Sequence, residues 1–323
     1  QLIAGPIVRY EQIGPQLDRL RAPSSTELAC GLGLFVTGLA KKVLLADWLA
    51  SHADAVFSAC SAGFPLSTAE AWLGTLSFSL QIYFDFSSYC DMAMGIGVMA
   101  GLRLPDNFAA PYRATGFIEF WRRWHITFSV WLRDCVFRPL AGQWPSPVRL
   151  LLGMAGALAV AGLWHGPALT FLVWAGVHGL MLLLNIIVRA VRGPALTGLL
   201  STIPMRLACV LMTFALVTLS WVIFRSDSLA MALDMYAILL GLTPAAGSWF
   251  ANGCFTSWTA AVPLAAGLAT VFVLPTARSV FLGRSDGSRA WVSFGLSGGW
   301  ACALAATALA CLAVMDRARP FLF

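Results

Sequence analysis

The chain has 323 residues, of which 59% are hydrophobic and only 11% are charged, and its formal net charge is +6. Soluble domains carry about 25% charged residues, so this composition excludes an ordinary soluble protein and favours a chain dissolved in lipid. The positive charge is spread over short segments, which favours the positive-inside effect over nucleic-acid binding. Lipid permits only helices or closed barrels, and long Leu-, Ala- and Gly-rich runs without alternation predict helices. We therefore expect a polytopic, all-α membrane protein.

The beginning of the chain predicts an interfacial segment followed by an apolar helix. Residues 1–27 are polar, basic and contain proline, and the chain opens on Gln-Leu-Ile-Ala-Gly-Pro, so we expect an upstream portion to precede it. The first apolar helix is predicted from Glu27 to about Ala50 and includes Lys41 and Lys42. A lysine at the centre of a spanning helix costs about 2.5–3.5 kcal/mol. These two side chains therefore either snorkel to an interface or line a polar site.

The second apolar stretch, residues 70–101, follows a predicted loop over 51–69. Its centre reads Tyr83-Phe-Asp-Phe-Ser-Ser-Tyr-Cys-Asp91. The stretch is too long for one straight span of about 20 residues. We expect a break or re-entrant bend near Asp85–Ser88, because irregular backbone at membrane depth needs a polar lining.

Residues 103–149 contain seven arginines and form the predicted cytoplasmic region. Within them, residues 117–140 interleave Trp, Arg and Phe, which predicts an amphipathic helix in the interface or dipping into it. On such a helix Trp121 and His125 lie one turn apart on one face. Local ion pairs are expected among Glu119, Arg123 and Asp134. Further spans are predicted at 148–164, 168–188, 204–224, 258–275 and 292–314, separated by loops over 189–206, 225–257 and 276–291.

His165 is the leading candidate for chemistry. An ionisable group at membrane depth is costly and indicates function, and Gly166 and Pro167 break the helix there. A desolvated imidazole is neutral at pH 7 and can accept a proton, as a general base must. His125 either belongs to an interfacial aromatic-basic belt or lines a site for an anionic donor. His178 is predicted to make a packing contact between helices.

Carboxylates and metals have less support. Asp85 could partner a histidine or anchor an arginine. Two histidines on separate elements raise the possibility of zinc, but the usual ligand spacing is absent. The eight cysteines are scattered without a C-x-x-C pair, which indicates neither a disulfide framework nor a metal site. No metal and no resident cofactor are expected.

Four segments of the chain resemble the membrane-bound O-acyltransferase family, and most closely its bacterial branch of alginate-type polysaccharide O-acetyltransferases. They are Gln81-Ile-Tyr-Phe-Asp-Phe-Ser-Ser-Tyr-Cys-Asp-Met-Ala93, Leu104-Pro-Asp-Asn-Phe-Ala-Ala-Pro-Tyr112, Glu119-Phe-Trp-Arg-Arg-Trp-His-Ile-Thr-Phe-Ser129 and Gly162-Leu-Trp-His-Gly166. The resemblance implies one membrane-embedded domain over residues 1–323, with helices around a central tunnel and the family's first helices missing. It also implies that His165 is catalytic and His125 is the second functional histidine. We predict a substrate-binding set of Tyr83, Asp85, Asn107, Arg122, Arg123, Trp124 and Trp164.

The function implied by the resemblance is O-acetylation of an exported polysaccharide from the bacterial inner membrane. Acetyl-CoA, or an acyl carrier thioester, is the expected co-substrate on the cytoplasmic side. The expected acceptor is a hydroxyl of a periplasmic partner protein or of the polysaccharide; membrane lipid surrounds the protein, and no nucleic-acid partner is expected. A transferase for D-alanine or a longer acyl group is the alternative, and a channel or transporter is the non-enzymatic one.

Overall fold

The computed structural model describes residues 5–143, 146–191, 193–243, 257–283, 294–295, 297–314 and 319. The secondary structure of these residues is helical, with no strand among them, which confirms the predicted fold class. In chain order the α-helices are α1 Tyr10–Leu17, α2 Ser25–Ala40, α3 Asp47–Ser61, α4 Thr68–Met99, α5 Phe117–Arg123, α6 Ile126–Leu132, α7 Arg138–Ala141, α8 Pro147–Trp164, α9 Leu169–Val191, α10 Pro194–Ser201, α11 Ile203–Arg225, α12 Leu229–Leu239, α13 Ser257–Phe272, α14 Ala277–Phe281 and α15 Gly298–Val314. A 3₁₀ turn covers Pro111–Arg113, and π-helical segments cover Lys41–Ala46 and Arg133–Phe137.

In the part of the chain that the structure describes, four helical stretches are long and apolar enough to cross a membrane: Ser25–Ser61, Pro147–Trp164, Leu169–Val191 and Ile203–Arg225. Their mean hydropathies lie between 1.6 and 2.4, so each favours lipid over water along a whole span. Shorter apolar helices cover Leu229–Leu239, Ala261–Phe272 and Gly298–Val314. The protein is a multi-pass helical membrane protein, as its composition predicts.

The first long stretch continues well past the predicted end near Ala50, because α2, the π segment and α3 run on to Ser61. The loop predicted over 51–69 is therefore wrong in its first half, and His52 is buried in a helix. Buried Ala53, Val56 and Phe57 continue the apolar helical face beyond Ala50, which explains the extension. The predicted loops over 225–257 and 276–291 likewise contain α12 and α14, each begun by a side-chain cap.

The break predicted near Asp85–Ser88 is wrong, because α4 is one uninterrupted α-helix. The polar side chains at its centre find partners without any irregular backbone. Lys42 Nζ lies 2.7 Å from Asp85 Oδ1, and the Ser88 hydroxyl donates to the Asp85 carbonyl at 2.7 Å. Because these buried polar groups have hydrogen-bond partners, the α-helix can continue through them without a break.

The described chain divides into two compact units. The first contains the described residues of 1–51, 80–109 and 258–323, and the second those of 52–79 and 110–257. In the first unit a cluster of Cys30, Leu34, Met94, Ala277 and Phe281 forms a hydrophobic core. In the second unit the largest fully buried side chains include Trp221, Phe120, Met235 and His178. The candidate histidines belong to the second unit.

Helices α2 and α4 approach each other in the first unit through glycines. A Cβ added at Gly38 would lie 2.7 Å from the Ser88 carbonyl oxygen, and one at Gly95 would lie 2.6 Å from the Gly31 carbonyl oxygen. The obstructing atoms are backbone atoms, which cannot move aside as a side chain can. This is the small-residue packing by which membrane helices come into close contact.

We predict that Gly38→Ala lowers the melting temperature of the detergent-solubilised protein, since the new methyl group forces the two helices apart. The matched control is Gly176→Ala in α9, where an added Cβ meets nothing within 4 Å. Alanine favours a helix over glycine by roughly 1 kcal/mol, so the control variant should be neutral or slightly more stable. Equal melting temperatures for the two variants would contradict the close-packing interpretation.

Candidate active site

His125 lies at a sharp turn between two short helices. Helix α5 ends with the Trp124 N–H donating to the Phe120 carbonyl at 2.8 Å, and α6 begins with the Ser129 N–H donating to the His125 carbonyl at 3.0 Å. The backbone of His125 is left-handed, with φ 42° and ψ 55°. The predicted continuous helix over 117–140 is therefore wrong, and Trp121 and His125 do not share one helical face. A left-handed non-glycine residue costs about 1–2 kcal/mol, and such strain concentrates at functional sites.

Asn185 of α9 anchors the start of this helical pair. Its Oδ1 accepts from the Ile118 N–H at 3.4 Å, which satisfies one of the otherwise unpaired donors in the first turn of α5. A Cβ at Gly116 would lie 2.9 Å from Asn185 Nδ2, so a glycine permits this approach.

The predicted local ion pairs are also present: Arg123 bonds Glu119 at 2.5 Å, and Asp134 pairs with Arg133 and Arg138.

His165 lies at the C-terminal end of α8, where the predicted helix break is confirmed. The His165 N–H donates to the Gly162 carbonyl at 3.1 Å, and the chain then turns through Gly166 at φ 140°. A Cβ at residue 166 would meet the Phe171 ring at 3.1 Å, and its backbone conformation favours glycine. The break thus leaves the imidazole at a helix end, beside the first turn of α9.

Three aromatic side chains surround the His165 imidazole. Its ring centroid lies 4.9 Å from that of Phe224, 5.7 Å from that of Trp174 and 5.9 Å from that of Phe171. Within the described part of the chain, the imidazole makes no hydrogen bond or ion pair, and the residue is half-buried. Both features leave its nitrogens available to a bound substrate.

Each histidine packs in an aromatic group, and the two groups meet in sequence at Trp164 and His165. The His125 ring packs on Phe128 at 4.9 Å, and Phe128 in turn packs on Trp164 at 5.3 Å, next to His165 in sequence. Burial lowers the pKa of His125, and its electrostatic interaction with His165 lowers that pKa further. Burial also lowers the pKa of His165. Both imidazoles are therefore neutral at pH 7, the form that can accept a proton.

The remaining predicted site residues of this unit have different environments. Trp124 is buried against Phe120 and Trp221, at 5.5 and 5.2 Å, so it packs beneath the turn and does not line an open surface. Arg122 is exposed, whereas Arg123 is half-buried and held by Glu119. Trp164 is 55% exposed and lies against Phe128.

Tyr83, Asp85 and Asn107 belong to the first unit and are all buried there. Asp85 pairs with Lys42, a cation that the sequence did not indicate as its partner. Tyr83 packs edge-on against Phe108 at 5.7 Å. The Asn107 side-chain amide donates to Cys90 Sγ at 3.3 Å. Each of the three has a structural partner within its own unit.

His178 makes the predicted packing contact. It is fully buried, and its Nε2 lies 2.9 Å from Ser220 Oγ, which joins α9 to α11. Its ring lies 4.8 Å from that of Trp174 and 5.3 Å from that of Trp121. Three of the aromatic residues that contact His125 or His165, namely Phe128, Trp174 and Phe224, were not predicted from the sequence, since an apolar position gives no sign of which side chain faces a histidine.

The fold and the site define a helical membrane protein with two half-buried histidines, His165 at a helix break and His125 at a left-handed turn, each packed against aromatic side chains. The sequence model of the membrane-bound O-acyltransferase family matches residues 1–224, and the chain belongs to that family. This match confirms the resemblance seen in the sequence.

Several curated relatives show the same similarity. The chain is 36% identical over 248 residues to a probable alginate O-acetylase of Pseudomonas aeruginosa, a match that covers 77% of this chain and 44% of the relative. It is 39% identical over 244 residues to a peptidoglycan O-acetyltransferase of Helicobacter pylori, a match that covers 75% of this chain and 45% of the relative. It is 26% identical over 193 residues to a teichoic acid D-alanyltransferase of Bacillus subtilis, a match that covers 55% of this chain and 47% of the relative. The chain thus spans less than half the length of these relatives.

Proposed function

We propose that the protein is a membrane O-acetyltransferase that moves an acetyl group from a cytoplasmic thioester to a hydroxyl acceptor destined for an exported polysaccharide. The proposal includes a location in the bacterial inner membrane. The observation that carries it is the placement of His165 at a helix break and of His125 at a left-handed turn, each among aromatic side chains. The O-acetylase and O-acetyltransferase names of the relatives support the same chemistry.

In the proposed reaction His165 is the general base. The imidazole takes the proton of the acceptor hydroxyl while the hydroxyl oxygen attacks the carbonyl carbon of the acetyl thioester. The tetrahedral intermediate then expels the thiolate, which recovers the proton from the imidazolium. The products are an acetyl ester and a free thiol. His125 would position the reacting groups or polarise the thioester by hydrogen bonding.

The three aromatic side chains beside His165 suit this chemistry for a physical reason. Phe171, Trp174 and Phe224 offer no charge to stabilise an imidazolium at rest, so His165 stays unprotonated until it takes the acceptor's proton. The proposed co-substrate is acetyl-CoA or an acyl carrier thioester, and the proposed acceptor is a periplasmic partner protein or the polysaccharide itself.

The direct test uses the purified full-length protein with acetyl-labelled thioesters and a hydroxyl acceptor. Transfer of label to an ester, with release of free thiol, is the expected result.

Similarity to a teichoic acid D-alanyltransferase supports a second candidate, transfer of D-alanine or a longer acyl group from a carrier protein. Coenzyme A and carrier-protein thioesters should therefore be compared in parallel. Ion or solute transport without acyl transfer would instead support a transporter.

We predict that His125→Gly and His125→Ala both reduce acetyl transfer by about a hundredfold, because both remove the imidazole that positions the thioester. Glycine adopts the left-handed backbone freely and alanine does not, so His125→Gly should be the more stable of the two variants. Transfer rates and melting temperatures measured on the same preparations separate the two roles. Full activity of His125→Gly would show that this position supplies only a turn.

A further inference from the structure

A second candidate site lies in the first unit, where a cavity of about 590 Å³ is lined by residues of several segments. Pro15 and Gln16 belong to α1, and Arg19 and Arg21 follow it. Residues 101–104 form the turn after α4, Arg278 and Leu282 belong to α14 and its end, and α2 and α4 complete the lining with Glu27, Met94 and Val98. None of the seven residues in the predicted substrate-binding set lines this cavity. Its chemistry therefore has to be explained separately from the histidine site.

Four arginines line the cavity: Arg19, Arg21, Arg103 and Arg278. Arg21 pairs with Glu27 through two hydrogen bonds of 2.6 and 2.9 Å, and Arg278 pairs with Asp106. Among the described residues, the Arg19 and Arg103 side chains have no ion-pair partner. Glu27 is the acidic lining residue, so the cavity keeps an excess of positive charge that suits a phosphate group.

The walls are fixed by contacts that do not involve the guanidinium groups. The Gln16 side chain donates to the Arg103 carbonyl at 3.1 Å and accepts from the Arg103 N–H at 2.8 Å. Gly101 has φ +76°, and a Cβ there would lie 2.7 Å from the Arg21 carbonyl oxygen. A glycine is thus required for the turn after α4 to approach the segment that bears Arg19 and Arg21. The arginine-bearing segments are held in place before any ligand binds.

The cavity also has an apolar side, formed by Met94, Val98, Leu102, Leu104 and Leu282. Beside it, α1 and the residues after it expose large apolar side chains: Tyr10 is 81% exposed, Leu17 51% and Leu20 56%. A short helix with exposed apolar side chains, followed directly by the exposed Arg19 and Arg21, is typical of a segment that lies in the headgroup region. A basic cavity at that depth faces phospholipid headgroups, and basic pockets beside membrane helices bind acidic ones.

We propose that this cavity binds the phosphate of an acidic phospholipid, with Arg19 and Arg103 as its main ligands and the acyl chains against the apolar side. The proposal does not depend on the acetyl-transfer reaction. Arg21 and Arg278, oriented by Glu27 and Asp106, complete the positive rim around the headgroup.

The test is native mass spectrometry of the full-length protein, purified in detergent and titrated with phosphatidylglycerol or phosphatidylcholine. The wild-type protein should retain phosphatidylglycerol in preference to phosphatidylcholine. Arg19→Gln/Arg103→Gln should bind it about thirtyfold more weakly, since two cation–phosphate contacts are lost. The matched control is Arg149→Gln/Arg206→Gln, which removes two exposed arginines of the second unit and should bind as the wild type does.

Three results would overturn the proposal. The wild type could bind both lipids equally, or the two double variants could lose affinity alike. Inorganic phosphate could also displace phosphatidylglycerol at similar concentration, which would assign the cavity to a soluble phosphate ligand. Melting temperatures should be equal for both double variants, because all four of the replaced arginines, Arg19, Arg103, Arg149 and Arg206, are exposed.

Discussion

His165→Ala in the full-length protein should reduce acetyl transfer by about 10²–10⁴-fold, the range contributed by a positioned general base. Without the imidazole, the acceptor hydroxyl attacks with its proton in place, and the leaving thiolate has no local acid. The fold should survive, since the side chain is half-buried at a helix end and makes no hydrogen bond among the described residues. The measurement is the rate of ester formation from labelled thioester at matched protein concentration.

His165→Gln refines this result, because glutamine keeps a polar side chain but cannot accept a proton at neutral pH. It should be as inactive as His165→Ala. The control is His178→Gln, whose parent residue packs on Ser220 and is fully buried. That variant should have a lower melting temperature than the wild type. Its rate of acetyl transfer per folded molecule should nevertheless exceed that of either His165 variant. Normal acetylation by His165→Ala would remove the residue from the mechanism.

The elements that the sequence predicted best are the uniformly apolar ones. The spans predicted at 148–164, 168–188 and 204–224 match α8, α9 and α11 to within a few residues. In these helices hydropathy alone decides the structure, since lipid leaves the backbone no alternative. The break at Gly166 and Pro167 was predictable for a similar reason, because both residues act locally on the backbone.

The errors fall where a distant partner or an unusual backbone decides the structure. Asp85 and Ser87 suggested a broken helix, but Lys42 and Lys41, from another helix, satisfy them. No local pattern near residue 85 could have identified these partners. The left-handed backbone of His125 is equally hidden, since nothing in Trp-His-Ile marks the residue where α5 and α6 separate.

The two lysines of the first apolar helix show how the same sequence supports a buried charge network. The sequence left open whether they snorkel or line a polar site, and the structure buries both. Lys42 lies 2.9 Å from Asp47 and 2.7 Å from Asp85, while Lys41 lies 2.5 Å from Asp91 and donates to Ser87 Oγ at 2.9 Å. Their side chains are 6% and 14% exposed. The π-helical segment from Lys41 to Ala46 widens the helix at this point.

Lys42→Met should destabilise the protein by about 3–5 kcal/mol, because it leaves Asp47 and Asp85 buried without their cation. Methionine has a similar length and adds no strain, so the loss reports the missing charge. Lys42→Met/Asp85→Leu should recover part of the stability, since two apolar side chains of similar size can replace a buried pair. The measurement is thermal unfolding in detergent.

The matched comparison is Arg138→Gln, which removes a cation whose side chain is 65% exposed in its pair with Asp134. Exposed pairs contribute about 0–1 kcal/mol, so this variant should unfold close to the wild-type temperature. A mild effect of Lys42→Met, equal to that of Arg138→Gln, would mean that water reaches the network. A large effect, relieved in the double variant, would instead show that Lys42, Asp47 and Asp85 form one electrostatic unit that joins the π-helical segment and α3 to α4. That unit would explain why α4 can carry Asp85 through its centre without breaking.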